Sequence, residues 1–275
     1  MKKLWCAMAC GALAFGCSAA GAEDSNLPWE KGSLSVGGFI TSSSTELQIN
    51  SNTLGAGAVV DLENLLGVDA DKSTWRVDGF YRFGSSRRHQ IDIHYYSSRR
   101  TGNRVLDEQI QIGDQVFPVN AVVDTKFDLS FINAEYSYAF FQDDRVRLAA
   151  AVGLHTTGVD LKLQQIGGAA QVEEESFTAP LPVFGLHGDV VLTDRWRIKG
   201  SVDLFYLSLS GYKGALADSM LAVEYLPFKH LGFGAGLNAV RIKAESDGNN
   251  DYGLDLNGEL KFRFTGALLY LKAYY

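Results

Sequence analysis

Apolar and polar residues trade places in two-residue steps over much of this chain. Between Ser73 and Phe83, Trp75, Val77, Gly79, Tyr81 and Phe83 form one face, and Arg76, Asp78, Phe80 and Arg82 form the other. From His89 to Tyr96, Ile91, Ile93 and Tyr95 oppose Gln90, Asp92, His94 and Tyr96. The stretch from Ala267 to Tyr275 repeats the scheme, with Ala267, Leu269, Leu271, Ala273 and Tyr275 against Tyr270, Lys272 and Tyr274. Successive side chains of a strand point to opposite faces, so a period of two predicts β-strands with one greasy and one polar side.

A soluble sandwich gives the same alternation, and the connections decide between it and a membrane barrel. Four look short, at 84–88, 142–144, 193–194 and 227–230. Longer or more polar ones fall near 46–72, 101–124, 164–178, 211–214 and 245–251. Strict alternation of short and long is what periplasmic turns and extracellular loops produce. Phe83, Phe140, Phe141, Trp196, Tyr225, Phe228 and Tyr275 gather beside the short turns, as an interfacial aromatic girdle requires. The predicted fold is all-β: a single transmembrane antiparallel up-and-down β-barrel. Its strands lie near 32–45, 73–83, 89–100, 124–141, 145–163, 180–192, 195–210, 215–226, 230–244 and 252–275. Several exceed the roughly 9–11 residues that cross a bilayer, so the wall is expected to project above the outer leaflet.

The last strand carries an irregularity. Leu254, Leu256, Leu260, Phe262 and Phe264 are even-numbered, whereas the terminal apolar face is odd. The run from Phe264 to Ala267 is therefore expected to be a hairpin turn or a register-shifting bulge. Bacterial barrels have even strand numbers. That favours the bulge and ten strands, with twelve as the alternative if Leu54–Val60 forms a further strand. Tyr275, Leu271 and Leu269 are expected to act as a C-terminal assembly signal.

At the other end, Lys2 and Lys3 precede a charge-free apolar run from Leu4 to Cys17, and Ala20-Gly21-Ala22 offers a small-residue cleavage site. Residues 1–22 read as a secretory signal peptide and 23–275 as the barrel domain. All three cysteines, Cys6, Cys10 and Cys17, fall within the removed part, which leaves no thiol for disulfides, metal thiolates or nucleophiles. Formal net charge is −7 and grows more negative with the loss of Lys2 and Lys3. An acidic chain argues against a nucleic-acid partner.

Three segments carry a family likeness: Val60-Asp-Leu-Glu-Asn-Leu-Leu-Gly67, Arg76-Val-Asp-Gly-Phe-Tyr-Arg-Phe83 and Arg88-His-Gln-Ile-Asp-Ile-His-Tyr-Tyr96. Together they resemble a largely uncharacterised group of outer-membrane β-barrel proteins of Gram-negative bacteria. The resemblance covers about a fifth of the chain in clear motifs. It implies fold and location, and brings no established substrate.

The inward-facing positions hold many charges: Arg76, Asp78, Arg82, Asp92, His94, Arg147, His187, Asp189, Lys199, Asp203, Glu224 and Lys272. A narrow barrel is filled by its own side chains, and buried charges must pair, so these are expected to form a lumen charge network. A sharper alternative rests on Asp92-x-His94 and His187-x-Asp189, where a carboxylate could orient an imidazole as a general base of an outer-membrane hydrolase. No neighbouring acidic pair or flagged serine completes such a site, and no cofactor or metal is implied. Val60, Asp61, Leu62, Glu63, Leu65 and Leu66 lie in the first long connection. Their apolar members suit either a small loop core or a plug folded into the lumen. Asp107, Glu108 and Asp114, and Glu173 to Glu175, are read as solvated loop acids that could bridge cations to lipopolysaccharide. The functional expectation is a non-enzymatic outer-membrane barrel with a narrow or plugged lumen, against a small-solute channel as alternative. Its partners would be outer-membrane lipid, lipopolysaccharide and the barrel-assembly machinery.

Overall fold

A computed structural model of the protein describes residues 29–50, 59–112, 114–167, 172–209, 212–247 and 257–275. The signal peptide expected over 1–22, and most of the additional strand considered over 54–60, lie outside the described residues. The strands are β1 (Gly32–Ile49), β2 (Val60–Asp61), β3 (Asp71–Phe83), β4 (His89–Val105), β5 (Ile110–Ile112), β6 (Gln115–Phe117), β7 (Val122–Gln142), β8 (Val146–Ile166), β9 (Val172–Val191), β10 (Trp196–Leu209), β11 (Tyr212–Tyr225), β12 (Leu231–Asp247) and β13 (Asn257–Tyr274). Ten of them pair antiparallel in chain order and β13 returns to β1, so the sheet closes into a ring. Closure leaves no free edge in the bilayer, where an unpaired backbone group has no water to bond. The remaining three are short: β2 adds to β1, and β5 and β6 form a separate hairpin.

The backbone N–H of Lys31 donates to the carbonyl of Tyr275 at 2.7 Å, which places the C-terminus beside the start of β1 at the short-turn end. The wall runs further at the opposite end than the sequence pattern suggested. With β8 reaching Ile166 and β9 starting at Val172, most of the connection expected over 164–178 is wall.

No bulge or turn interrupts β13 between Phe264 and Ala267. Its register against β1 runs unbroken from Ser33↔Tyr274 to Ile49↔Gly258, and against β12 from Leu231↔Ala273 to Asp247↔Asn257. The register shift that does occur is in β7, between Ala139 and Phe141. The parity change in β13 has another cause. Near the short-turn end the outward residues are apolar, and Leu269 is 67% exposed. Further up, the inward residues are apolar, and Phe264 is 2% exposed, while Lys261 and Arg263 face out. The solvent outside changes from lipid to water, and the lumen changes from polar to apolar at the same height. The greasy face therefore switches sides without any backbone irregularity.

The same inversion recurs around the ring. On β12, Leu231, Phe233 and Leu237 face out, whereas Val240, Ile242 and Ala244 are buried inside. On β8, Leu148, Val152 and Leu154 give way to inward Val159, Leu161 and Leu163. The molecule is a membrane barrel continued upward as a water-facing barrel with an apolar core.

Residues 60–70 complete the wall where β3 starts late. β1 pairs with β3 only as far as Ser42↔Asp71, and above that point β2 takes up its edge at Glu46↔Asp61 and Leu47↔Val60. The N–H of Leu62 donates to Thr45 and that of Asp69 to Thr101, so the segment bridges β1 and β4. Gly67, at φ 64°, takes a conformation that a side chain rarely adopts. Val60, Leu62, Leu66 and Val68 are buried in the core, and Leu65 packs against it.

Candidate functional site

The lumen is organised in layers, and the lowest is ionic. Lys272 Nζ lies 2.6 Å from Glu224 and 2.9 Å from Glu30, and Lys199 approaches Glu224 at 3.9 Å. Arg82 contacts Asp189 at 3.0 Å and donates to Gln90 at 2.6 Å, and Arg147 reaches the same Asp189 oxygen at 3.4 Å. Arg197 holds Glu30 at 2.6 Å. Phe80 points into this layer with Arg82, Lys199 and Lys272 at 4.5, 4.8 and 5.6 Å from its ring centroid, a cation–π arrangement. Trp29 and Glu30, just ahead of β1, are buried at the lumen's lower mouth, where the Trp29 indole donates to the Asp143 carbonyl at 2.8 Å.

Above it lies a layer of histidines and carboxylates. Asp78 accepts from Arg76 at 2.7 Å and lies 2.6 Å from His94 Nδ1. Arg76 also donates to Asn238, whose amide donates to Asp218 at 2.6 Å. His187 Nε2 lies 2.9 Å from Asp203 and 3.2 Å from Glu135, and Asn133 donates to Glu135 at 2.7 Å. His155 is 2% exposed and has no hydrogen-bond partner on either ring nitrogen among the described residues; it meets the Phe131 ring edge-on at 5.8 Å.

The two Asp-x-His spacings do not pair within themselves. His94 takes Asp78 from the neighbouring strand, directly opposite it in register, while Asp92 receives the amide of Gln90. His187 takes Asp203 and Glu135, while Asp189 serves Arg82 and Arg147. Asp78 lies directly opposite His94, and Asp203 lies diagonally across the β9–β10 pair from His187, so both imidazoles bond across the sheet. His94 and His187 line a shared chamber of about 30 Å³, and Asp92 and Asp189 are not among its lining residues. That volume has room for no more than a few water molecules. The four-residue constellation considered for a hydrolase is therefore not assembled.

Glycines make the His187 cluster possible. Glu135 sits directly opposite Gly153, and Asp203 opposite Gly185. A Cβ on Gly153 would come within 2.3 Å of the Glu135 side chain, and one on Gly185 within 2.0 Å of the Asp203 carboxylate. Both acids lie across space that only glycine leaves free. Glu135, Asp203 and His187 offer ligand atoms within 4.8 Å of one another, so these three residues could hold a cation if the imidazole released both carboxylates. Glu30, Glu135, Asn133 and Asp218 belong to the network, and His155 lies beside it, although the sequence did not single them out. For Glu135 the signal was its place opposite Gly153, and reading it requires the strand register.

The third layer is apolar. Tyr96 stacks on Phe131 at 4.4 Å, Phe39 meets Phe264 edge-on at 5.6 Å, and Phe131 stacks on Phe262 at 5.9 Å. Near the top, Glu63 takes Arg100 at 2.5 Å and the Thr45 N–H at 2.8 Å, with the guanidinium 4.9 Å from the Phe127 centroid. Asp61 caps the turn by accepting from the N–H of Asn64. The loop acids Asp107 and Glu108 are exposed, with Asp107 3.3 Å from Arg104.

No protein-family model and no curated protein matches the chain. Among solved structures it is similar to the outer membrane protease OmpT of Escherichia coli, with a TM-score of 0.57 at 9% identity over 89% of this chain and 96% of that one. The translocator domain of the autotransporter NalP of Neisseria meningitidis matches with a TM-score of 0.46 at 10% identity, over 87% of this chain and 88% of that one. The likeness to OmpT speaks to the fold. The protein is a bacterial outer-membrane β-barrel, and its outward apolar band lies in the outer membrane.

Proposed function

We propose that this protein is a non-enzymatic outer-membrane barrel whose lumen is closed, and whose activity resides on its outer face and loops. The observation that carries the reading is the aromatic layer of Phe39, Tyr96, Phe131, Phe262 and Phe264, buried across the lumen at every ring. Water gains few hydrogen bonds in such a layer, and ions would lose their hydration shell there. The ionic layer beneath is a second barrier in series, with cations and carboxylates held by each other. Residues 60–68 contribute to the upper seal by turning Val60, Leu62, Leu66 and Val68 into the core.

A small-solute channel would need a continuous wet path, and a hydrolase would need a cleft open to substrate. The chamber beside His94 and His187 has room only for a few waters. Proteoliposomes loaded with a self-quenching anionic dye test the proposal. Dye retention equal to that of protein-free vesicles is expected, with folded insertion established separately by resistance to protease. Release that scales with the amount of inserted barrel would favour the channel.

A further inference from the structure

The outer face of β12 and β13 carries four cations in two rows. The register places Arg241 directly opposite Arg263 and Lys243 directly opposite Lys261. All four lie on positions that face away from the lumen, between inward Val240, Ile242 and Ala244 on one strand and Leu260, Phe262 and Phe264 on the other. Like charges directly opposed on one sheet face repel. An acidic chain has no need of such a pairing for solubility.

The lysine row has acids above it. Lys243 lies 2.9 Å from Glu259 and 3.6 Å from Glu245, and Lys261 lies 3.2 Å from Glu46 and 3.4 Å from Glu259. The arginine row, nearer the membrane, has no ion pair among the described residues. Beside it on β11 stand Ala217, opposite Arg241, and Ala215, opposite Lys243. These small side chains leave a groove of about 310 Å³ between the cations and the adjoining wall.

Height fixes what meets this groove. On β13 the outward positions from Tyr275 upward are Ala273, Leu271, Leu269, Ala267 and Thr265, and then Arg263. A strand tilted by about 40° climbs roughly 2.6 Å per residue, which sets Arg263 about 31 Å above Tyr275. The apolar band of an outer-membrane barrel is about 25 Å tall. The two guanidiniums thus stand just beyond the outer end of the lipid-facing band, and β12 repeats the order with Leu237, Ala239 and Arg241.

From this placement we infer that Arg241 and Arg263, backed by Lys243 and Lys261, form a binding site for the phosphorylated headgroup of an outer-leaflet glycolipid. The guanidinium fork matches phosphate oxygens in bidentate fashion, and an anion between the two arginines removes their mutual repulsion. The acyl chains of the same lipid would run down the apolar face formed by Leu237, Leu269 and Leu271. This site is separate from the loop acids, and it does not depend on whether the lumen conducts.

The test is native mass spectrometry of the folded full-length barrel in detergent, titrated with bis-phosphorylated lipid A. Dephosphorylated lipid A and free pyrophosphate serve as comparison probes. The wild type should retain lipid A, and the R241Q/R263Q variant should retain it about tenfold less strongly. A K126Q/K162Q variant on the far side of the wall should match wild type. If the glutamine pair fails to fold, R241K/R263K and the two single glutamine variants read the same site, with intermediate losses expected. Equal lipid A retention by the folded arginine variants would overturn the inference. So would pyrophosphate or dephosphorylated lipid A binding as tightly as the bis-phosphorylated lipid.

Discussion

Lys272 on the last strand holds Glu30, just ahead of the first, at 2.9 Å, so an ion pair buried in the lumen spans the seam that closes the ring. The same ammonium reaches Glu224 at 2.6 Å, and it is 1% exposed. One side chain therefore ties β11, β13 and the segment ahead of β1 together.

Replacing that lysine should be costly. Lys272→Met leaves Glu30 and Glu224 with less compensation in a buried site, a loss of about 3–5 kcal/mol. Lys243→Met removes a lysine that is half-exposed and should change stability by about 0.5 kcal/mol or less. Urea unfolding of the detergent-folded barrel, followed by tryptophan fluorescence, compares the two.

The polarity inversion gives a second contrast, between adjacent residues of β13. Phe262 faces the core and Lys261 faces out. Phe262→Ala should cost about 3–5 kcal/mol through the cavity it leaves, and Lys261→Ala about 0.5 kcal/mol. Equal, small effects would mean that the upper barrel is not packed as a core.

Glycine placement supplies a third. Gly185→Ala puts a methyl group within 2.0 Å of the Asp203 carboxylate, whereas the nearest atom to a Cβ on Gly200 is a backbone oxygen at 3.6 Å. The first should destabilise by about 1–3 kcal/mol and displace Asp203 from His187, and the second should be close to neutral. Thermal unfolding of both variants, with imidazole resonances followed by NMR, reads the two consequences separately.

Asp143 predicts an acid-side effect at the short turn between β7 and β8. The N–H groups of Arg145 and Val146 both donate to its carboxylate at 2.7 Å and hold the carboxyl below the usual aspartate range. A depressed carboxyl contributes stability that is fully present above its ordinary pKa and lost as pH falls through its folded value. Asp143→Ala should therefore be less stable than wild type at neutral pH, and the gap should narrow as the medium is acidified below that ordinary value. A gap that stays constant across this range would assign the loss to something other than the carboxylate.

Much of this architecture was legible in the chain. The two-residue period, the alternating connections and the aromatic ends specified the barrel, and the expected strands shifted by a few residues at their ends, except that β9 starts at Val172 where 180 was expected. The reading of β13 went astray for a physical reason. Outward and inward environments exchange polarity at the membrane's upper edge, and a parity change in Leu260, Phe262, Phe264 and then Leu269, Leu271 resembles a bulge when only one strand is read. The lumen charges were legible as a set because strand alternation marks which residues face in. Their partners were not, because pairing depends on cross-strand register: Asp78 meets His94 and Glu135 meets His187 only once β3, β4, β7 and β9 are aligned. Glu30 escaped notice because it lies ahead of the first strand, where no periodicity points it inward.

The closed lumen is the central claim, and single-channel recording of the folded barrel in a planar bilayer tests it most directly. The layered lumen predicts no steady conductance steps in concentrated potassium chloride from protein shown to be inserted. Reproducible ohmic steps would contradict it, and would mean that the aromatic layer around Phe131 parts to admit ions.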